Sequence, residues 1–397
     1  MQFITTQKRI TAFLILAVLT ISSVSFSTES DVTQKNSSSL ESNKLKVVFL
    51  NPEYPDKDTF WNYCGLLMQA AASDLGVELE THHLSRSQAT TIKIVDDILA
   101  GDDLPNFILA QNMKGTARDI IEKASVKSVN VFLFNSGLSP RDQKILGMPR
   151  GKYKNWIGEL LPDDEFAGYE LAKVLFLSAK KKKLFNDSGK IEFIALGGNV
   201  SDTSAIKREQ GLLRFVEEHK EEIVLHRNKT LPANWSSRIA EKILTKALNY
   251  FPNTSVIWAA NDDMGIGGIS AIKEKNIKQP GEDILIGSVD WTKDAIEAVI
   301  SGELEVSMGG HFSECSWAMI LLYDYFNGID FSEKNGTSMS SSFVSLAQTR
   351  IKNVLPFIRG NRKEQLDKVN FRTFSKVLNP EAKEYQFSFR PIIEQVE

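Results

Sequence analysis

The sequence predicts an α/β fold of two similar lobes, each a parallel sheet with helices on both faces. Three observations lead there. Short apolar runs alternate with segments of helical periodicity along most of the chain, as in 256–260 followed by 264–276. The runs are nearly continuous in apolar residues rather than alternating, which is how a strand covered on both faces reads. The alternation restarts near residue 190 and holds more strands than one compact sheet usually carries, so two lobes suit the 397 residues better than one.

The elements follow in order. Lys8-Arg9, the apolar run 10–21 and the small residues through Ser27 have the order of a secretory signal peptide, with cleavage expected near Ser25 or Ser27. About 12 apolar-biased residues are too few to span a bilayer comfortably. No Cys follows the apolar core, which argues against lipid attachment. Residues 28–43 are polar and Ser-rich and read as a linker. The first strand is 45–50 (LKVVFL), closed by the Asn51-Pro52 turn. Apolar residues at 61, 64, 67, 68, 71, 72 and 75 trace one helix face, and Gly76 ends it. Strands then begin at 77–80, 106–110, 129–134 and 155–158, with helices at 92–99, 116–124 and 165–180 and a loop through Pro149. After the restart come strand 190–196, helix 204–219, strand 223–226 and helix 236–249. Strand 256–260, helix 264–276, strand 283–289, helix 294–300 and a last strand ahead of His311 complete the series. Beyond about Asn361 the chain is charged and irregular, and pattern assigns it no role.

Composition narrows the function. A net charge of −3 gives no overall basic bias, so no nucleic-acid partner is expected. There is no Gly-X-Ser-X-Gly elbow and no Walker loop, and the histidines (82, 83, 219, 226, 311) lack metal-ligand spacing. Gly197-Gly198 follows a strand without a complete nucleotide fingerprint, and Gly265, Gly267 and Gly268 sit inside a helix, where they read as packing. No carboxylate pair stands out as catalytic. No cofactor, no metal and no catalytic residue is therefore expected. Cys64 and Cys315 each fall in a predicted helix; a secreted context permits a disulfide, and buried free thiols fit as well. The sequons at Asn199, Asn228 and Asn234 matter only in a glycosylating pathway.

Open α/β sheets bind ligands beyond the carboxyl ends of their strands. Phe60, Trp61 and Trp235 supply aromatic faces at such positions, and Asp58, Gln111, Asn135, Arg208, Asn261 and Asp290 supply polar groups. Rings beside carboxylate, amide and guanidinium groups suit a sugar, whose C–H faces stack while its hydroxyls hydrogen-bond. Each residue also has a plainer use. Asn261, Asp262 and Asp263 suit a helix cap, Asp290 a turn, Trp61 a core face and Arg208 a solvated helix surface. Lys180 to Lys183 reads as a solvated helix end.

WAANDDMGIGGISAIKEKN and ILIGSVDWTKDAIEAVISGELEVSM together resemble the type I periplasmic binding proteins, in their sugar-binding branch with ribose binders and autoinducer receptors. TSAIKREQGLLRF is similar to the family segment whose ligand-gripping Arg falls on Arg208. FWNYCGLLMQAAASDLG resembles the first helix with its two leading aromatics, and LPANWSSRIAE puts Trp235 at a stacking position. The similarity runs over roughly 44–350. It implies three crossovers between lobes, near 162, 310 and 345. The first lobe is then 44–162 plus 311–345, the second 163–310 plus 346–375, and 376–397 a C-terminal tail. It also implies non-catalytic, monomeric capture of a small polar ligand, above all a sugar, in the periplasm. The membrane partner is an ABC permease or, alternatively, a sensory receptor such as a chemoreceptor, kinase or cyclase. The rival of a different class is a secreted α/β enzyme. The chain departs from the family at Gly309-Gly310-His311, where sugar binders carry a pocket Gln, at Val289 and Trp291 around Asp290, and by an insertion within 146–173. These changes bear on which ligand is taken.

Overall fold

Two sheets carry the chain. In this computed structural model residues 44–54, 59–276, 278–346 and 354–396 are described. The expected signal peptide, the linker and Asp58 lie outside them.

The first sheet has the order β12-β5-β4-β3-β1-β2, all parallel. Its strands are β1 (Lys46–Asn51), β2 (Glu78–His83), β3 (Phe107–Ala110), β4 (Asn130–Phe134), β5 (Trp156–Pro162) and β12 (Ser338–Ser341). The second sheet runs β13-β11-β10-β9-β6-β7, with β8 added beside β6. It uses β6 (Ile191–Gly197), β7 (Ile223–Leu225), β8 (Leu231–Pro232), β9 (Val256–Ala259), β10 (Leu285–Val289), β11 (Val306–Gly309) and β13 (Val344–Leu346). Only β13, against β11, is antiparallel among these pairs. The central strands β3, β6, β9 and β10 are buried at every position, which explains their near-continuous apolar runs, interrupted by Glu192 in β6 and Ser288 in β10.

The helices that cover the sheets are α1 (Phe60–Leu75), α2 (Gln88–Ala100), α3 (Ala117–Val126), α4 (Pro140–Leu146), α5 (Asp164–Lys182), α6 (Thr203–Glu218), α7 (Ser237–Tyr250), α8 (Asp262–Lys275), α9 (Lys293–Ser301) and α10 (Glu314–Phe326). Gly76 ends α1 in the left-handed conformation, at φ 69°, as its position suggested. Helix α4 falls where a loop was expected: Ser139 caps it and Pro140 opens it, but seven residues are too few to show a period. Helices α5 and α6 pack at glycines. A Cβ on Gly168 would lie 2.0 Å from the Arg208 carbonyl oxygen, and one on Gly211 2.0 Å from that of Glu165. That approach sets Arg208 beside the start of α5.

The chain changes sheet after β5, after β11 and between β12 and β13, so the third crossover falls at 342–343, slightly before the expected 345. Residues 354–396 differ more from expectation. Expected to extend the second lobe to 375 and then form a tail with no assigned role, much of this stretch packs on α1 and α10. Phe371 N donates to Asp74 at 2.8 Å, Lys376 N to Asp324 at 2.8 Å, and Trp317 Nε1 to the Ser388 carbonyl at 2.9 Å. Arg359 also reaches Glu297 of α9, so the segment straps both lobes. Phe357, Phe371, Phe387 and Phe389 are buried, and this apolar content is what holds a charged, aperiodic stretch in place. Cys64 of α1 and Cys315 of α10 form a disulfide with Cα atoms 5.4 Å apart, tying the returning chain to the first lobe.

Candidate functional site

Carboxyl ends of strands from both sheets meet in one cleft. It is lined by Phe60, Trp61, Gln111, Asn135, Arg208, Trp235, Asn261 and Asp290, which is every expected site residue except Asp58. Arg86, Asp202, Ser204 and His311 also line it.

Local backbone explains the convergence. Asn135 (φ 62°), Trp235 (φ 60°), Asp290 (φ 134°) and Trp291 (φ 61°) all occupy positive φ, where side-chain-bearing residues are rare and strained. The turn at 290–291 is held from below. Buried Asp262 accepts from Ser288 Oγ, Ser307 Oγ, Thr292 N and Thr292 Oγ1, bolting the ends of β10 and β11 to the start of α8. Trp291 then turns away from the cleft and donates Nε1 to the Ser307 carbonyl at 3.0 Å. Its ring occupies space left by Gly309, whose Cβ would fall 2.3 Å from it. Trp235 is seated in the same manner. Its ring lies over Gly198, where a Cβ would be 2.1 Å away, and its Nε1 donates to Asp202 Oδ2 at 2.8 Å. Gly198 therefore makes room for an aromatic ring, and Gly197 for the Thr230 side chain.

The floor is a buried charged group of residues. Arg208 is only 3% exposed, so it is not the solvated helix residue that its surroundings in sequence allowed. Its Nε donates to Asp164 Oδ1 at 2.7 Å and its Nη1 to the Ala260 carbonyl at 2.6 Å. Asp290 Oδ1 stands 3.6 Å from Nη1, and His311 Nε2 stands 3.4 Å from Nη2. Burial pushes the Asp290 carboxyl well above its usual range, against the pull of Arg208. Burial and then the Arg208 charge hold His311 well below its usual value, so its ring is neutral. His311 stacks on Phe60 with centroids 4.6 Å apart and lies against Phe343 at 4.4 Å.

Some of the plainer roles also hold. Asn261 caps α8, its Oδ1 accepting from Met264 N at 3.0 Å, while the residue faces the cleft. Trp61 is 8% exposed and packs edge-on against Phe60 and Phe134, so it is core and cleft wall together. Gln111 Oε1 and His311 Nδ1 are buried with no hydrogen-bond partner. Among the described residues no cluster of three or more His, Cys, Asp or Glu is placed to hold a metal ion. Among them, too, no helix is long and apolar enough to cross a membrane.

The cleft residues that sequence reasoning passed over differ in how visible they were. His311 had a signal, standing where sugar binders carry a Gln. Asp202 lies just ahead of the expected helix 204–219 with nothing to single it out, and Arg86 lies in a turn after β2, at φ 51°, with no pattern around it.

Comparison with known proteins agrees with the architecture. The periplasmic binding protein domain family matches residues 47–328. The galactofuranose-binding protein YtfQ of Escherichia coli (strain K12) is 24% identical over 241 residues, covering 60% of this chain and 70% of that protein. The ribose import binding protein RbsB of Haemophilus influenzae is 23% identical over 199 residues, covering 47% and 63%. A crystal structure of a periplasmic sugar-binding protein from Pseudomonas fluorescens superposes with a TM-score of 0.77 at 29% identity, over 88% of this chain and 99% of that one.

Proposed function

Because the chain belongs to the periplasmic binding protein domain family, we propose that it captures a sugar between its lobes and presents it to an ABC permease. The observation that carries this reading is the convergence of flat rings and polar side chains from both lobes on one cleft. Phe60 and Trp61 from one side and Trp235 from the other cover the C–H faces of a sugar ring. Gln111, Asn135, Asn261 and Asp290 take hydroxyls, and Asp290 is the acceptor-only group when ionised. Arg208, already engaged by Asp164 and the Ala260 carbonyl, orients Asp290 and retains donor capacity toward the ligand. Ligand held by one lobe recruits the other by hinge motion at the three crossovers, and the permease reads the closed form. The relatives named for galactofuranose binding, ribose import and sugar binding support this ligand class. Export to the periplasm is supported by the Lys8-Arg9 and 10–21 pattern together with the family.

The test is thermal unfolding of the mature protein with D-galactose, L-arabinose, D-ribose, myo-inositol and xylitol, each in turn. A ligand at 100 times its Kd stabilises by about 2.7 kcal/mol. At least one sugar or polyol is expected to raise the transition in a saturable way. No shift with any of them, alongside a shift with amino acids or nucleosides, overturns the ligand class.

A further inference from the structure

Helix α6 begins with an unused cap. Asp202 occupies its N-cap position, where an Asp ordinarily accepts a backbone N–H from the first turn. Here the side chain makes no such bond. Both oxygens go elsewhere: Oδ2 accepts from Trp235 Nε1 at 2.8 Å, and Oδ1 accepts from the backbone N–H of Lys114 at 3.2 Å. Trp235 belongs to the same lobe as Asp202. Lys114 belongs to the other, following β3, and is held at φ 50°. Its ammonium donates to the Arg86 carbonyl at 2.8 Å, which fixes the loop that offers the N–H. The next residue repeats the crossing. Thr203 Oγ1 donates to the Gly137 carbonyl at 3.1 Å and lies 2.8 Å from Ser136 Oγ, both of the first lobe. Ser136 and Asp202 line the sugar cleft, and Thr203 is not among its lining residues.

We propose that Asp202 and Thr203 form a clasp that holds the lobes closed, with Asp202 passing between two partners. When the lobes part, Lys114 N–H is lost and the Asp202 carboxylate is released to cap its own helix. When they meet, the cap is given up for Lys114, and the same carboxylate locks the Trp235 indole flat against the cleft. The position of the stacking ring is thereby tied to closure. Asp202 and Thr203 are positioning residues: they set how long a closed cleft persists. This inference deepens the sugar-capture reading and rests on it for its physiological meaning, but its geometry does not.

Two measurements test it. The first needs no ligand: hydrogen exchange at the Lys114 amide in the wild type, Asp202→Asn and Thr203→Val. Asp202 is the acceptor of that N–H. One charge-assisted hydrogen bond corresponds to at least about tenfold in a population. Exchange is expected to accelerate by about that factor in Asp202→Asn and to a smaller extent in Thr203→Val, with melting temperatures near wild type. Equal exchange in all three proteins overturns the clasp. The second uses stopped-flow tryptophan fluorescence with D-galactose or L-arabinose, whichever binds the wild type. Thr203→Val, which lies outside the cleft lining, is expected to raise the dissociation rate several-fold and leave the association rate within about twofold. An unchanged dissociation rate counts against the clasp. If neither sugar binds the wild type while the exchange difference persists, sugar capture fails and the clasp stands.

Discussion

Arg208→Met is the substitution whose cost the structure defines most sharply. The side chain is buried, with one 2.7 Å bond to Asp164 and one 2.6 Å bond to the Ala260 carbonyl. Methionine fills much of the volume and keeps the helix propensity, but it leaves the Asp164 carboxyl and a carbonyl without their donor. Removing one partner of a buried ion pair costs about 3–5 kcal/mol, because the other charge stays buried and unpaired. The folded unit runs from Lys44 to Glu397. At about 2.1 cal/mol/K of unfolding entropy per residue, some 350 residues give ~0.7 kcal/mol/K, so the loss amounts to ~4–7 °C. The assay is thermal unfolding of ligand-free protein, with Arg214→Ala as the control. Arg214 pairs with Glu165 on the surface, half-exposed, where such pairs contribute about 0–1 kcal/mol. If Arg208→Met melts within 1 °C of that control, Arg208 is solvated and the buried floor of the cleft is wrong. The sequence offered a solvated helix residue as the plainer use of Arg208; its burial gives it a structural role.

Asp290→Asn should behave in the opposite way. Burial raises the folded-state pKa of Asp290 above its unfolded value, so ionising it at pH 7 opposes folding. The ligand-free melting temperature is expected to stay level or rise, while sugar affinity measured by calorimetry falls roughly ten- to hundredfold; retained affinity would remove Asp290 from the site. Asp263 carries a pH signature. Burial, then the Glu53 and Asp262 charges, lift it from 3.8 to about 6. A carboxyl raised in the folded state binds more protons there, so its contribution to stability falls as pH rises from about 4 to about 6 and is flat beyond. Asp263→Asn should therefore gain stability over the wild type at pH 7 and little at pH 4. An equal difference at both pH values would show that the charge is not the cause.

The fold was legible because its central strands obey a simple rule. A parallel strand covered on both faces is apolar at nearly every position, and 191–197, 256–259 and 285–289 are buried along their whole length, with Glu192 and Ser288 as hydrogen-bonded exceptions. The elements that escaped notice include those with no room for a pattern: α4 with seven residues, β8 with two, β12 with four and β13 with three. The strap after Val354 escaped for another reason. Its helices are five residues or fewer, so its buried phenylalanines have no period and read as noise in a charged tail. Whether Cys64 and Cys315 were bonded also lay beyond the sequence, since two helical cysteines 251 residues apart meet only if the chain returns to α1.

The cleft divides along the same line. Residues that line the cleft from strand ends, such as Asn135, Asn261 and Asp290, could be found because topology alone sends strand ends to one place. What those residues touch could not. Arg208 sits on α6 among polar neighbours, and its burial comes from the close approach of α5 and α6 at Gly168 and Gly211, which bring together positions about 40 residues apart that no local window contains. Asp202 is the stronger case. It stands at the N-cap of α6, where a local role is on offer. Only the absence of its capping bond, together with Lys114 and Trp235 at its two oxygens, shows that the local reason is not the one in use. A polar residue that declines the bond its position offers has exchanged it for another, and here that other bond runs between the lobes.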